Sequence, residues 1–217
     1  ARYTQDERSG TFQNLAGFGF NSGPVLLTSG PWSYVPLAYS GGKFTWTAGL
    51  NYKPSATALV YGKISTGYKA GGFDGAGTAF RPESNTAYEG GVKLKLGQHI
   101  LNAAAFYYDY KDLQIVAYAP PVYINQNAAS ARINGLEASA RFDVTSDLSL
   151  SASMGYVDAK FTSFPAAAVF VANGFGNGQA TKDLGGTRMP RAPKFTGNVA
   201  VDYKADTSAG IFGMHAG

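Results

Sequence analysis

Acid–base or metal chemistry in this chain would have to start from two histidines, His99 and His215, and neither stands in a pattern that supports it. His99 follows the Gly97-Gln98 turn signal, and neither ring has a carboxylate at a spacing that would make a proton relay. No H-E-x-x-H, P-loop or G-x-S-x-G occurs, and these are the arrangements that would place a metal, a phosphate or an activated serine. Cysteine is absent, which removes thiolate nucleophiles, thiolate metal sites and disulfides together. Gly174-Phe175-Gly176-Asn177-Gly178 is glycine-rich but has no strand-turn-helix frame around it, so it reads as loop and not as a phosphate cradle. No catalytic residue, metal site or cofactor is expected, and the chain does not read as an enzyme.

Two other sets of residues could carry recognition. The charges Lys43, Lys63, Glu89, Lys93, Glu137, Arg141 and Asp143 interleave both signs along the chain. They would suit either the lining of a polar path or ion pairs between neighbouring strands, and the interleaving of signs favours the pairs. Rings and cations gather in the longer connections: Trp32, Tyr34, Tyr39, Phe73, Arg81, Tyr123, Phe170, Phe175 and Arg188. Aromatic faces with arginine suit a flat conjugated ligand or a sugar. They would equally serve to pack loops together or to meet a lipid headgroup.

The elements that must position these residues are strands. From Lys43 to Lys53 the even positions are Phe44, Trp46, Ala48, Leu50 and Tyr52, and the odd ones are polar or small. A helix cannot sort residues with period two. The same sorting recurs around Tyr88, Val92, Leu94 and Leu96, and again from Leu136 to Val144. It returns from Leu148 to Tyr156 and from Phe195 to Tyr203. Each segment has about the ten residues that a tilted strand needs to cross a bilayer. In the segment 57–69, Leu59 and Tyr61 share a parity with Lys63, Ser65 and Lys69. The segment 99–116 is apolar on both parities around Ala103 to Tyr108, so its faces stay unassigned.

Connections of two lengths alternate. Pro54-Ser55-Ala56, Gly97-Gln98, Thr145-Ser146-Asp147 and the segment 205–208 read as tight turns. Longer links are expected over 9–42, 71–84, 119–128 and 163–193. A membrane barrel keeps its short turns on the periplasmic side and its long loops outside. A soluble sandwich or propeller would share the alternation but has no reason for the one-sided loop lengths. Charged residues make up 15% of the chain and aromatics 14%, and rings recur at strand ends as in an interfacial girdle. No apolar run reaches the length of a transmembrane helix, a test that β-barrels escape because only alternate residues face lipid. The net charge of +4 is spread along the chain, so nucleic acid is not an expected partner.

Several motifs carry a family resemblance. Tyr61-Gly62-Lys63-Ile64-Ser65-Thr66-Gly67-Tyr68-Lys69-Ala70-Gly71-Gly72-Phe73 resembles a strand ending in G-Y-K-x-G-G-F. Phe80-Arg81-Pro82-Glu83 with Tyr88-Glu89-Gly90-Gly91-Val92-Lys93 resembles F-x-P-E followed by Y-E-x-G-x-K. Leu101 to Gln114, then Asn125 with Gly135-Leu136-Glu137, then Arg188-Met189-Pro190-Arg191-Ala192-Pro193 follow in the same order. Together they are similar to the later part of the barrel of TonB-dependent receptors. That resemblance implies an all-β, antiparallel transmembrane β-barrel segment, about nine of about 22 strands, with long extracellular loops and short periplasmic turns. Residues 1–217 are expected to be one partial barrel domain; no plug-like segment, TonB box or terminal aromatic strand is legible. The implied location is the bacterial outer membrane. The implied activity is energised uptake of a ferric siderophore, cobalamin or an oligosaccharide, with the TonB complex acting through a plug and with outer-membrane lipid and lipopolysaccharide as surroundings. A passive porin-type channel without a plug is the alternative.

Overall fold

A computed structural model describes residues 1–15, 32–74, 77–119, 122–173 and 176–217. All regular structure in them is strand: β1 (Arg2–Leu15), β2 (Trp32–Thr45), β3 (Thr47–Ser55), β4 (Ala58–Lys69), β5 (Gly72–Phe73), β6 (Ala79–Phe80), β7 (Glu83–Leu96), β8 (His99–Ala119), β9 (Val122–Asp143), β10 (Leu148–Ser163), β11 (Ala167–Asn173), β12 (Gly176–Lys182), β13 (Phe195–Thr207) and β14 (Gly210–Ala216). Eight of them form one antiparallel sheet in the order β14-β13-β10-β9-β8-β7-β4-β3. The sheet is open among the described residues, with β14 and β3 at its edges. A β1–β2 hairpin stands apart from it, although only Trp46 separates β2 from β3. The Trp46 carbonyl still accepts a hydrogen bond from the Thr66 backbone at 2.9 Å.

The register settles the faces. Opposite residues in an antiparallel pair share a face, so the row Val92–Ala103–Ala138–Met154–Gly197 crosses five strands on one side. Its neighbours Leu94, Leu101, Ala140, Ala152 and Val199 continue it. This face is an unbroken apolar band left open: Leu50 is 77% exposed, Phe195 70% and Met154 62%. Rings border it, Tyr88 with Tyr107 at 6.1 Å and Tyr156 with Phe195 at 5.1 Å on one margin, and Tyr52, Phe142 and Tyr203 toward the other. From Leu148 to Tyr156 the band spans about 26 Å along the strand, or roughly 20 Å vertically at the usual tilt, close to the height of a lipid-facing wall. So much open apolar surface marks a contact surface, not a face made for water.

The two segments whose faces the sequence left open are resolved by their neighbours. In β8, Leu101, Ala103, Ala105 and Tyr107 lie on the apolar band, while Asn102, Phe106 and Tyr108 lie on the opposite face, where the two rings stack at 5.0 Å. In β4, Val60 and Ile64 belong to the band, and Leu59, Tyr61 and Lys63 to the other face.

The tight turns 56–57, 97–98, 144–147 and 208–209 all fall at one end of the sheet. Gly97 takes φ +66, a left-handed conformation that a two-residue hairpin turn requires. At the other end the strands overshoot the band. β8 and β9 run for 21 and 22 residues, about twice what a bilayer needs, and they stay paired up to Ala119 opposite Val122. The open link expected over 119–128 is therefore the upper part of a ladder. Likewise β1–β2, β5–β6 and β11–β12 turn much of the other long links into hairpins. A small core sits at this end, on the face away from the band: Ala129, Ala131, Phe161, Phe164 and Ala167 are buried, with Leu184 and Met189 packed on them.

Candidate functional site: the rim of hairpin arms

The rim is built around a bulge in β8. Between Tyr110 and Leu113 the ladder slips against β9, and Asp112 sits at φ +52, a region that Asp and Asn tolerate better than most residues. Three side chains hold it there. The Arg81 guanidinium pairs with the Asp112 carboxylate. Asn127 donates to the carbonyls of Arg81 (2.7 Å) and Asp112 (2.9 Å), while its own side-chain oxygen accepts from the Arg81 backbone N–H. Gln114 donates to the carbonyls of Ala70 (2.9 Å) and Arg81 (3.0 Å), and its backbone N–H donates to Glu83 at 2.9 Å. Asp74 accepts from the backbones of Thr78 (2.8 Å) and Asn125 (3.3 Å). One polar clamp thus ties the segment 70–83 to the β8–β9 arm.

Beside the clamp the chain makes a close approach. Gly71 and Gly72 are buried, and the Gly71 N–H donates to the Tyr39 hydroxyl at 3.1 Å. A Cβ on Gly71 would lie 2.4 Å from the Phe80 carbonyl oxygen and 2.8 Å from the Tyr39 ring. Hence Gly71→Ala is expected to push the segment 70–80 off the β1–β2 hairpin, at a cost of about 1–3 kcal/mol. Limited proteolysis of the folded receptor would show it as new cleavage within 70–82, and an unchanged digest would contradict the packing.

The structure separates the ring and cation residues that the sequence singled out. Arg81 is part of the clamp, Tyr39 lies beside it at Gly71, and Phe73 stands in β5 within the segment that the clamp ties down. Tyr123 is exposed near the tip of the β8–β9 arm, opposite Tyr118. Arg188 lies elsewhere, bridged to Lys160 along β10, with its guanidinium donating to the Ala192 carbonyl at 2.9 Å. Trp32 and Tyr34 stand in β2 opposite Leu15 and Gln13, but their side chains fall outside the described residues, as does Phe175. Glu83, Asp112 and Gln114 stood within the family motifs but were given no role, and Asn127 was not singled out. Asn125 was, yet the side chain that closes the clamp belongs to Asn127.

On the face opposite the band two pairs of these charges meet. Lys63 and Glu89, directly opposed on β4 and β7, pair at 3.0 Å. The Tyr61 hydroxyl donates to Glu89 at 2.9 Å, and the Lys93 ammonium lies 5.8 Å from the Tyr61 ring centre. Arg141 reaches Asp143 at 3.1 Å and the Ser149 hydroxyl at 2.9 Å. Glu137 is opposite Ala104 and Gly155, and Lys43 is opposite Thr4 in the β1–β2 hairpin. A double-mutant cycle on Lys63→Met and Glu89→Gln is expected to return a modest coupling of roughly 0.2–1 kcal/mol, as for other cross-strand charge pairs with solvent access. A coupling of zero would mean that the two charges act separately.

Outside the band and above Tyr156, the Lys160 ammonium pairs with Asp158 at 2.8 Å. Its hydrogen bond holds the Asp158 carboxyl below the usual carboxylate range despite partial desolvation, and the charges of Lys160, Lys194 and Arg188 add to this. Arg132 stands 3.9 Å from Asp109 on the same face.

The family model for the TonB dependent receptor-like beta-barrel matches residues 1–217. The metal-pseudopaline receptor CntO of Pseudomonas aeruginosa is 33% identical over 117 residues, 52% of this chain and 16% of that protein. Among solved structures, the ferric yersiniabactin uptake receptor FyuA of Yersinia pestis superposes with a TM-score of 0.63 at 21% identity, covering 98% of this chain and 29% of that one. The ferric preacinetobactin receptor BauA of Acinetobacter baumannii gives 0.58 at 17% identity, covering 85% and 27%. The chain thus spans less than a third of these relatives.

Proposed function

We propose, because this chain belongs to the TonB-dependent receptor-like β-barrel family, that it forms part of the wall and extracellular rim of an outer-membrane receptor for energised uptake of a metal chelate. That family is one of transport receptors and not of enzymes, and its members are outer-membrane proteins. The observation that carries the reading is the match over residues 1–217, which coincides with a sheet whose open face is apolar and whose other face is polar. In this reading the tight-turn end is periplasmic and the hairpin arms are extracellular. Residues 1–217 form a partial barrel domain, with a plug supplied by the rest of the receptor.

A ferric siderophore is the favoured cargo, since the similar proteins are named as receptors for such compounds or for metal-pseudopaline; cobalamin or an oligosaccharide would use the same architecture. Capture falls to the rim, with Tyr39, Phe73, Arg81 and Tyr123 as contacts, joined by Trp32, Tyr34 and Phe175 from the same long links; Arg188, on the band side of the wall, is set apart from them. Lys43, Lys63, Glu89, Lys93, Glu137, Arg141 and Asp143 line the lumen, where the pairing of Lys63 with Glu89 and of Arg141 with Asp143 suits contact with a plug better than a free path for anions. TonB, driven by the inner-membrane proton gradient, would pull that plug aside.

Uptake of radioactive iron presented as a ferric siderophore, by cells whose only outer-membrane receptor is the full protein carrying this chain, tests the reading. Uptake should cease when TonB is deleted or when a protonophore collapses the gradient. Uptake that survives both treatments would mean a passive porin-type channel, which the family match does not favour.

A further inference from the structure

We propose that the outer wall of β9 and β10, just above the girdle, binds the phosphate groups of an outer-leaflet glycolipid through Arg132, Lys160 and Arg188. This inference rests on the outer-membrane reading above. Arg132 and Lys160 are directly opposed on β9 and β10, and Arg188 bridges to Lys160 on the far side. The three cations therefore form one row across β9, β10 and the adjoining segment that carries Arg188. The row lies on the same face as the apolar band, since it is in register with Leu136 and Tyr156 four residues lower on each strand. Four residues correspond to about 13 Å along the strand, or roughly 10 Å vertically at the usual tilt. That is the level of charged headgroups above an aromatic girdle.

The other side of the same strands explains why the cations cannot turn inward. Ala131, Ala159 and Phe161 are buried there, Ala131 and Phe161 within the rim core. The cations keep donors to spare. Arg132 makes only a loose 3.9 Å contact with Asp109, Lys160 has one carboxylate partner in Asp158, and Arg188 is bonded to one backbone carbonyl. An arginine offers five N–H donors and a lysine three, so several remain in each case. Two carboxylates against three cations, with the charge of Lys194 also bearing on Asp158, leave the row net positive. A planar guanidinium fork matches the oxygens of a phosphate, and each cation near a charged headgroup layer adds to the attraction. A protein or a soluble ligand arriving from outside would meet the rim and not this wall, because the wall faces sideways into the lipid.

The test uses the full receptor in detergent, titrated with Kdo2-lipid A carrying both phosphates and with the same lipid enzymatically dephosphorylated, bound lipid being counted by native mass spectrometry. The triple variant Arg132→Ala, Lys160→Ala, Arg188→Ala is expected to bind the phosphorylated lipid roughly tenfold more weakly, in line with the loss of three surface cations partly screened by salt. Binding of the dephosphorylated lipid should be equally weak for both proteins. Millimolar inorganic phosphate should compete little, which separates a lipid site from a simple anion site. A control variant, Lys95→Ala with Lys204→Ala, removes cations near the tight-turn end and should behave as wild type. Equal binding by the triple variant and wild type, or strong competition by free phosphate, would overturn the proposal. Membrane fractionation of the wild type is run alongside. If the protein is absent from the outer membrane, the functional reading itself fails; if it is present and the triple variant binds normally, only the glycolipid site fails.

Discussion

Ala138→Arg in the full receptor should sharply reduce assembly, while Ser139→Arg, one residue further along β9, should be tolerated. Ala138 sits in the middle of the apolar band, in register with Ala103 and Met154. Ser139 is opposite Asn102 and Ser153, and Asn102 donates to its hydroxyl at 3.1 Å. An arginine at the bilayer midplane costs about 2–4 kcal/mol on the lipid face of a barrel, whereas the inner face is already polar. Urea titration of the reconstituted receptor, read by the gel shift of the folded barrel, compares the two directly. Equal destabilisation would mean that the faces are wrongly assigned; a larger penalty at Ser139 would mean that they are reversed.

The second large effect belongs to the clamp. Asn127→Leu removes one acceptor and two donor contacts at once; it strands the Arg81 backbone N–H and the Asp112 carbonyl, while the Arg81 carbonyl keeps its bond from Gln114. The net worth of such bonds plus the cost of leaving their partners unpaired comes to roughly 2–4 kcal/mol, less where water can reach the orphaned groups. Asp112 would then hold its left-handed conformation with the Arg81 ion pair alone. The expected result is faster hydrogen exchange across 110–130 and 70–83 and weaker capture of the chelate, with β3–β4 and the outer ends of β13–β14 unchanged. Uniformly faster exchange would show that Asn127 supports the whole sheet and not the arm. Asn127→Asp keeps the acceptor for the Arg81 N–H but loses both donors, so it should fall between wild type and leucine.

How much of this could be read from the chain depended on the range of the physics. The two faces were plain wherever one parity was apolar and the other not, as in β3, β9 and β10, because pleating alone sorts such side chains. In β8 the run from Ala103 to Tyr108 gives no such contrast. There the register against β7 and β9 decides, and Phe106 and Tyr108 turn inward onto each other. The turns were legible from Gly, Pro, Ser and Asp. The arms were not, since a ladder of polar residues such as Asn125 and Gln126 against Val116 and Ile115 resembles loop composition. The clamp was the least visible part. Arg81 and Asp112 are 31 residues apart, Arg81 and Asn127 are 46 apart, and a positive φ at Asp112 leaves no periodic trace. Even so, its members lie within or beside the motifs that gave the family away. Phe80-Arg81-Pro82-Glu83 and Asp112-Leu113-Gln114 hold the arm to the segment before β7, and Gly71-Gly72 lets that segment come close.

In the wall every strand is hydrogen-bonded to the strand that precedes or follows it along the wall, and the longest pair, β8 with β9, is closed by a link of two residues. Such a sheet has its contacts near at hand in sequence, which lowers the entropy lost in closing each one. The expected order of events is accretion: the β8–β9 hairpin zips first, β7 and β10 add to its two sides, and the outer strands follow, each templated by the last. The 163–195 excursion makes β10–β13 the slowest joint. Pulse-labelled exchange during refolding would then protect amides of β8 and β9 before those of β13, and the reverse order would place the nucleus elsewhere.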